Sequence, residues 1–241
     1  MAEDITPALL DKIQKQFNKD YGNDKSVQKL IEKINNGNAN YDDVNTYAQR
    51  IGEILAKSFQ NNLSSEILPD GKMYFNIADR ILRTTLGKNY DLVATASEKV
   101  QSQLNKNAGI GLKAIKPVLD EDRIKGFVNR LDSEDDFDNV KWILDEPVVN
   151  FTQKAVDDSI EQNAEFQYRT GLKPKIIRTL EPNERTCEWC EKLAGEYTYP
   201  VPGEVFQRHD RCRCNVSYDG SNLRAYTGKG RRSQRSSNTF R

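Results

Sequence analysis

The sequence predicts an α+β protein: a helical N-terminal region, a small β-containing module, then a basic tail. Three observations predict it. Apolar residues recur at spacings of three and four from Leu9 to Phe166. After Gly171 and Pro174 the texture changes to short β-branched runs bounded by prolines. All four cysteines and the single histidine fall between Cys187 and Cys214. Such a module is too small to build a large core and needs a staple. The boundaries that follow are 1–171 for the helical region, 172–220 for the module and 221–241 for the tail.

The elements follow in chain order. Thr6 and Pro7 read as a cap and the first helical residue. Leu9, Leu10, Ile13 and Phe17 then form one stripe, broken at Tyr21-Gly22-Asn23. Val27, Leu30, Ile31 and Ile34 form the next, ending in NNGNAN. A longer helix starts near Tyr41 and carries Val44, Tyr47, Ile51, Ile54, Leu55 and Phe59. Pro69-Asp70-Gly71 is a turn. Two helices split near Gly87 are expected between Met73 and Leu104, because glycine weakens a helix interior. AGIGLKAIKP reads as a bend or loop. Further helices are expected over Arg123 to Leu131, around Val140 to Leu144, and from Pro147 to about Thr170. KIIRTL, GEYTYPVP and NVSY supply three strand candidates. The stretch after Tyr218, SNLRAYTGKGRRSQRSSNTFR, is rich in serine, glycine and arginine and reads as disordered.

Composition narrows the class. The 241 residues are 30% charged and 37% hydrophobic, with a mean hydropathy of −0.78. That suits helices with narrow apolar stripes. No apolar run reaches the roughly 20 residues that span a bilayer. The start, MAEDITPALLDKIQKQF, lacks the basic and apolar regions of a secretory signal, so the chain reads as a cytosolic product. The net charge is zero. After Asp219, however, Arg224, Lys229, Arg231, Arg232, Arg235 and Arg241 stand without a single acid. The tail can meet nucleic acid phosphates or an acidic partner surface. The acidic group Asp132, Glu134, Asp135, Asp136 and Asp138 reads as a solvated loop or helix start.

The chemistry is concentrated at Cys187, Cys190, His209, Cys212 and Cys214. Cys187 and Cys190 form a C-x-x-C knuckle, and His209 opens an H-x-x-C-x-C run. The knuckle spacing lets two thiolates meet one ion from a tight turn, and the return loop closes the shell. Four of the five suffice for a tetrahedral structural zinc site. Spacing leaves the choice between Cys212 and Cys214 open. Two disulfides, free buried cysteines and a redox pair are the competing readings. The start of the chain argues against disulfides, and no βαβ setting surrounds the C-x-x-C. A catalytic role would need a base, and His209 is the only imidazole. YTGKGRR lacks the glycine spacing of a phosphate loop.

The residues NERTCEWCEKLAGEYTY and RHDRCRCNVSY resemble the C-terminal module of tailed-phage minor head proteins, the Mu F-like head morphogenesis family. The matching positions are Glu184, Arg185, Thr186, Cys187 and Cys190, then Leu193 and Gly195, then His209, Cys212, Arg213 and Cys214. The match covers about residues 174–218. His209 is followed by Asp210 where the family usually has proline, and Asn183 stands where aspartate is common. The resemblance implies a virion protein without enzymatic turnover, associated with the portal and other head proteins. Its location would be the head interior or portal neck, and the host cytoplasm during assembly. Sister copies and DNA are further expected partners, with a role in head assembly or genome delivery. A nucleic-acid-binding zinc module with an accessory or regulatory role is the alternative; a nuclease or toxin-like effector is a third.

Overall fold

The computed structural model describes residues 4–181, 187–209, 211–220 and 223. It is 66% helical with one small antiparallel sheet near the C-terminal end, an α+β arrangement. The helices are α1 (Thr6–Asn23), α2 (Lys25–Asn35), α3 (Tyr41–Asn62), α4 (Phe75–Asn107), α5 (Glu121–Asp132), α6 (Glu146–Arg169) and the short α7 (Glu188–Leu193). The strands are β1 (Lys175–Thr179), β2 (Gly195–Thr198) and β3 (Asn215–Asp219). Among the described residues no helix is long and apolar enough to cross a membrane.

Local chemistry sets most boundaries. Asn40 and Asp43 make a capping box at the start of α3. Asp120 caps α5 by accepting from Arg123 N. Three expectations are corrected. Thr6 is not a cap: Leu9 N bonds to Ile5 O, and the Asp4 carboxylate takes Thr6 N at 3.1 Å. The backbone therefore enters the helix one residue earlier. The stretch around Val140 to Leu144 is not an α-helix but two short 3₁₀ turns, Phe137–Asn139 and Lys141–Leu144. There is no split at Gly87. α4 runs unbroken through it, because Leu86, Tyr90 and Val93 bury their side chains on either side. Burial outweighs the loss of about 1 kcal/mol that glycine brings to a helix interior.

α3, α4 and α6 form the central layer, with α3 and α6 in close contact. Gly52 makes that contact possible: a Cβ there would lie 2.9 Å from Val149 Cα. Stripe residues Val44, Ile51 and Phe59 face Val148, Phe151, Ala155 and Ile160 in one core. The same core continues into Ile176, Val205, Phe206, Val216, Tyr218 and Leu223. The sheet has the order β2-β1-β3. Ile176 pairs with Tyr218, and Arg178 pairs with Val216. These four residues form the buried face of the sheet, turned toward the helices and the module interior.

A polar seam runs through the apolar core. Tyr41 Oη donates to Gln101 Oε1 at 2.9 Å, and Gln101 donates to Asn105 Oδ1 at 2.8 Å. Gln167 also donates to Asn105, and Tyr218 Oη donates to Gln167 at 2.7 Å. The chain of bonds ties α3, α4, α6 and β3 together, with the amides of Gln101, Asn105 and Gln167 matched to partners. It explains how so polar a sequence supports a buried core.

Candidate metal centre

The five sulfur and imidazole groups come from three short pieces of chain. Cys187 caps α7, and its sulfur accepts from Cys190 N at 3.4 Å. One helical turn therefore sets the two knuckle sulfurs on one side. His209 follows the 3₁₀ turn Gly203–Phe206. Cys212 N then bonds to His209 O at 3.1 Å, with Arg211 in the left-handed region at φ 59°. This turn folds the imidazole and Cys212 back toward the knuckle. Cys214 leads directly into β3.

The side chains converge as two triads that share Cys190: Cys187, Cys190 and His209, and Cys190, Cys212 and Cys214. Within each triad the ligand atoms lie within 4.8 Å of one another. His209 Nε2 is 3.3 Å from Cys187 Sγ and 3.0 Å from Cys190 Sγ. Cys190 Sγ is 3.9 Å from Cys212 Sγ. The edge of a tetrahedral zinc–thiolate shell is about 3.8 Å, from Zn–S bonds of about 2.3 Å. All four cysteines are free of disulfides. The cluster could therefore hold a metal ion. Cys190, Cys212 and Cys214 are buried, whereas His209 lies at the surface.

Electrostatics prepare part of the cluster for thiolate. The Cys190 backbone N–H holds the Cys187 thiol below its ordinary value. Burial pushes the Cys190 thiol up to about 11. Contact with Cys214 lowers the Cys212 thiol against its burial, and the same contact raises that of Cys214. Arg208 and Arg178 act on Cys212 in the same direction.

The helical body grips the loops that carry the ligands. Asn150 Nδ2 donates to His209 O at 3.0 Å, and Asn45 Nδ2 donates to Val216 O at 2.8 Å. Arg208 donates to Cys214 O at 2.7 Å. It also makes a two-pronged pair with Asp157 on α6, at 2.5 and 2.9 Å. Both side chains of that pair are almost wholly buried, at 2% and 0% exposure. Arg213 pairs with Glu53 of α3 and Glu146 of α6. Trp189 packs edge-on against His209. Arg178, Arg208, Asp157, Asn45 and Asn150 escape sequence reasoning, since nothing in their local patterns sets them apart from ordinary polar residues.

The tail residues Arg224, Lys229, Arg231, Arg232 and Arg235 lie outside the described residues, as does Arg185. A cavity of about 440 Å³, lined by residues including Ile13, Phe17, Leu55, Thr85 and Leu92, shares no residue with the cluster. Comparison with protein families, curated proteins and solved structures finds no match to this chain.

Proposed function

We propose that the protein is a minor head protein of a tailed phage or prophage, with one zinc ion as a structural staple. The observation that carries the metal reading is the convergence of Cys187, Cys190, His209, Cys212 and Cys214. Sulfur and imidazole donors at tetrahedral spacing suit zinc better than hard cations. Four of the five fill the shell, so no open position remains for substrate or water. The single histidine faces two of the sulfurs and is not free to act as a base. These features favour a staple over a hydrolytic centre.

The virion reading rests on the resemblance carried by Glu184, Arg185, Thr186, Cys187, Cys190, His209, Cys212, Arg213 and Cys214. It places the protein beside the portal and the other head proteins. Two measurements test the two parts. The full chain purified without chelator should carry about one zinc, and strong chelation should melt the C-terminal fold. Absence of metal, with freely reactive thiols, overturns the staple. Mass spectrometry of particles purified from an induced lysate of the source strain should find the chain in the head or neck fraction. Its absence from every particle overturns the virion reading and leaves the metal result standing.

A second reading is favoured by the six cations after Asp219. A nucleic-acid-binding module would bind DNA with a steep loss of affinity as salt rises. Deleting residues 221–241 would abolish that binding.

A further inference from the structure

We infer that Arg178 is the counter-cation of the metal–thiolate centre and that the ligands are Cys187, Cys190, His209 and Cys212, with Cys214 outside the shell. The inference rests on the metal reading above and deepens it.

Arg178 occupies an inward position of β1, where strand alternation calls for an apolar residue. It is 2% exposed. A guanidinium taken out of water costs several kcal/mol unless an opposite charge accompanies it. No carboxylate lies within salt-bridge distance of Arg178 among the described residues. Among the other described arginines of the module, Arg208 has Asp157, Arg213 has Glu53 and Glu146, and Arg211 is exposed.

The surroundings of the Arg178 head are specific. Nη1 donates to Val205 O at 2.5 Å and to Gln207 O at 2.9 Å. The guanidinium lies 5.3 Å from the Trp189 ring centroid, a cation–π distance. Nη2 is 3.8 Å from Cys212 Sγ. Nε is buried without a partner. Carbonyls and a ring face orient a cation but carry no net charge. Among the described residues, the one potentially anionic atom its hydrogen bonds reach is the Cys212 sulfur.

A charge count then separates the two candidate shells. A divalent ion with three thiolates and a neutral imidazole carries one negative charge. Arg178 matches it. Four thiolates would leave a second negative charge in a pocket whose inner cysteines are 2–5% exposed. Cys212 Sγ lies about one tetrahedral edge from Cys190 Sγ and Cys214 shares that triad, so the Arg178 contact to Cys212 is what assigns Cys212 to the shell. Cys214 is then an outer neighbour of the Cys212 sulfur in the same triad. Partners of this outer kind typically change metal affinity by about 10–100-fold when removed.

The test uses the full chain loaded with Co²⁺, whose thiolate charge-transfer absorption reports the number of bound sulfurs. Wild type should show three thiolates. Cys214→Ser should keep one ion per chain and the wild-type intensity. Cys212→Ser should lose one thiolate's intensity or the ion itself. Arg178→Met should weaken affinity by about 10–100-fold and move the charge-transfer band to longer wavelength, because the sulfur loses its neighbouring cation. Arg178→Lys should restore the band position. A merely structural role would not move that band. If Arg178→Met does not fold, the two cysteine variants still decide the ligand set. Four thiolates in the wild type, or loss of a ligand in Cys214→Ser but not in Cys212→Ser, overturns the inference. Failure of wild type to take up Co²⁺ or Zn²⁺ overturns the metal reading beneath it.

Discussion

Asp24 shows how much one side chain settles at a junction. It ends α1 through its backbone N–H to Asp20 O and caps α2 by accepting from Ser26 N and Val27 N. Its other oxygen takes Arg50 Nε at 2.6 Å. Burial opposes its ionisation, but the Ser26, Val27 and Arg50 hydrogen bonds outweigh that and hold the carboxyl at about 2. A depressed carboxyl stabilises the fold above its unfolded value near 3.8 and loses that contribution as pH falls through the folded value. Asp24→Ala should therefore cost about 1–2 kcal/mol at pH 6. The gap in urea midpoint between it and wild type should narrow by pH 3. An undiminished gap at pH 3 would count against the role of the charge. Asp24 was not singled out in the sequence, where it is one acid among many. The Cys/His set was legible because those residue types are rare in this chain and their spacing carries its own geometry. Arg178 and Arg208 were not, since arginine reads as surface and the Asp157 that neutralises Arg208 lies 51 residues away.

Helices were legible wherever a stripe was long and regular. Val44, Tyr47, Ile51, Ile54, Leu55 and Phe59, read as one face from spacing alone, are all buried in α3. Glycine within a helix was ambiguous, because its meaning depends on the neighbouring helix. Gly87 read as a break but sits in continuous helix, where a Cβ would meet only Leu119 Cδ2 at an ordinary 3.7 Å. Gly52 looked unremarkable yet marks a close approach of α3 to α6. A Cβ there would meet Val149 Cα at 2.9 Å and Thr152 Oγ1 at 3.3 Å. Backbone cannot step aside as a flexible side chain can. The same substitution should thus have opposite signs at the two sites. Gly87→Ala should stabilise by about 0.5–1 kcal/mol through helix propensity and a less free unfolded chain. Gly52→Ala should destabilise by about 1–3 kcal/mol through overpacking. Thermal or urea unfolding of the two variants decides it, and a gain in stability for Gly52→Ala would refute the close approach.

At the scale of the whole molecule, α+β architecture was legible, but the way its parts join was not. Low hydropathy suggested narrow stripes, whereas the interior also holds a ladder of amides and hydroxyls from Tyr41 through Gln101, Asn105 and Gln167 to Tyr218. Those residues are polar in composition yet interior in fact, so hydropathy understates the core. The ladder and the buried Arg208–Asp157 pair fasten the Cys/His-cluster loops to α3, α4 and α6. Apolar contacts run from α3 and α6 into Val205, Phe206 and Val216 without interruption. A chain with one continuous core should unfold in one step. The chain has two tryptophans, and in a Trp142→Phe variant Trp189 beside His209 becomes the sole reporter of the module. Far-ultraviolet circular dichroism reports the helices. The two signals should share one urea midpoint in the metal-loaded protein. Asp157→Ala leaves the buried Arg208 charge uncompensated and should lower stability by about 3–5 kcal/mol. Because the pair lies between the two parts, both signals should shift together. If Trp189 fluorescence moved to lower urea while the helical signal stayed in place, the module would be a separate folding unit and the shared core would not govern its stability.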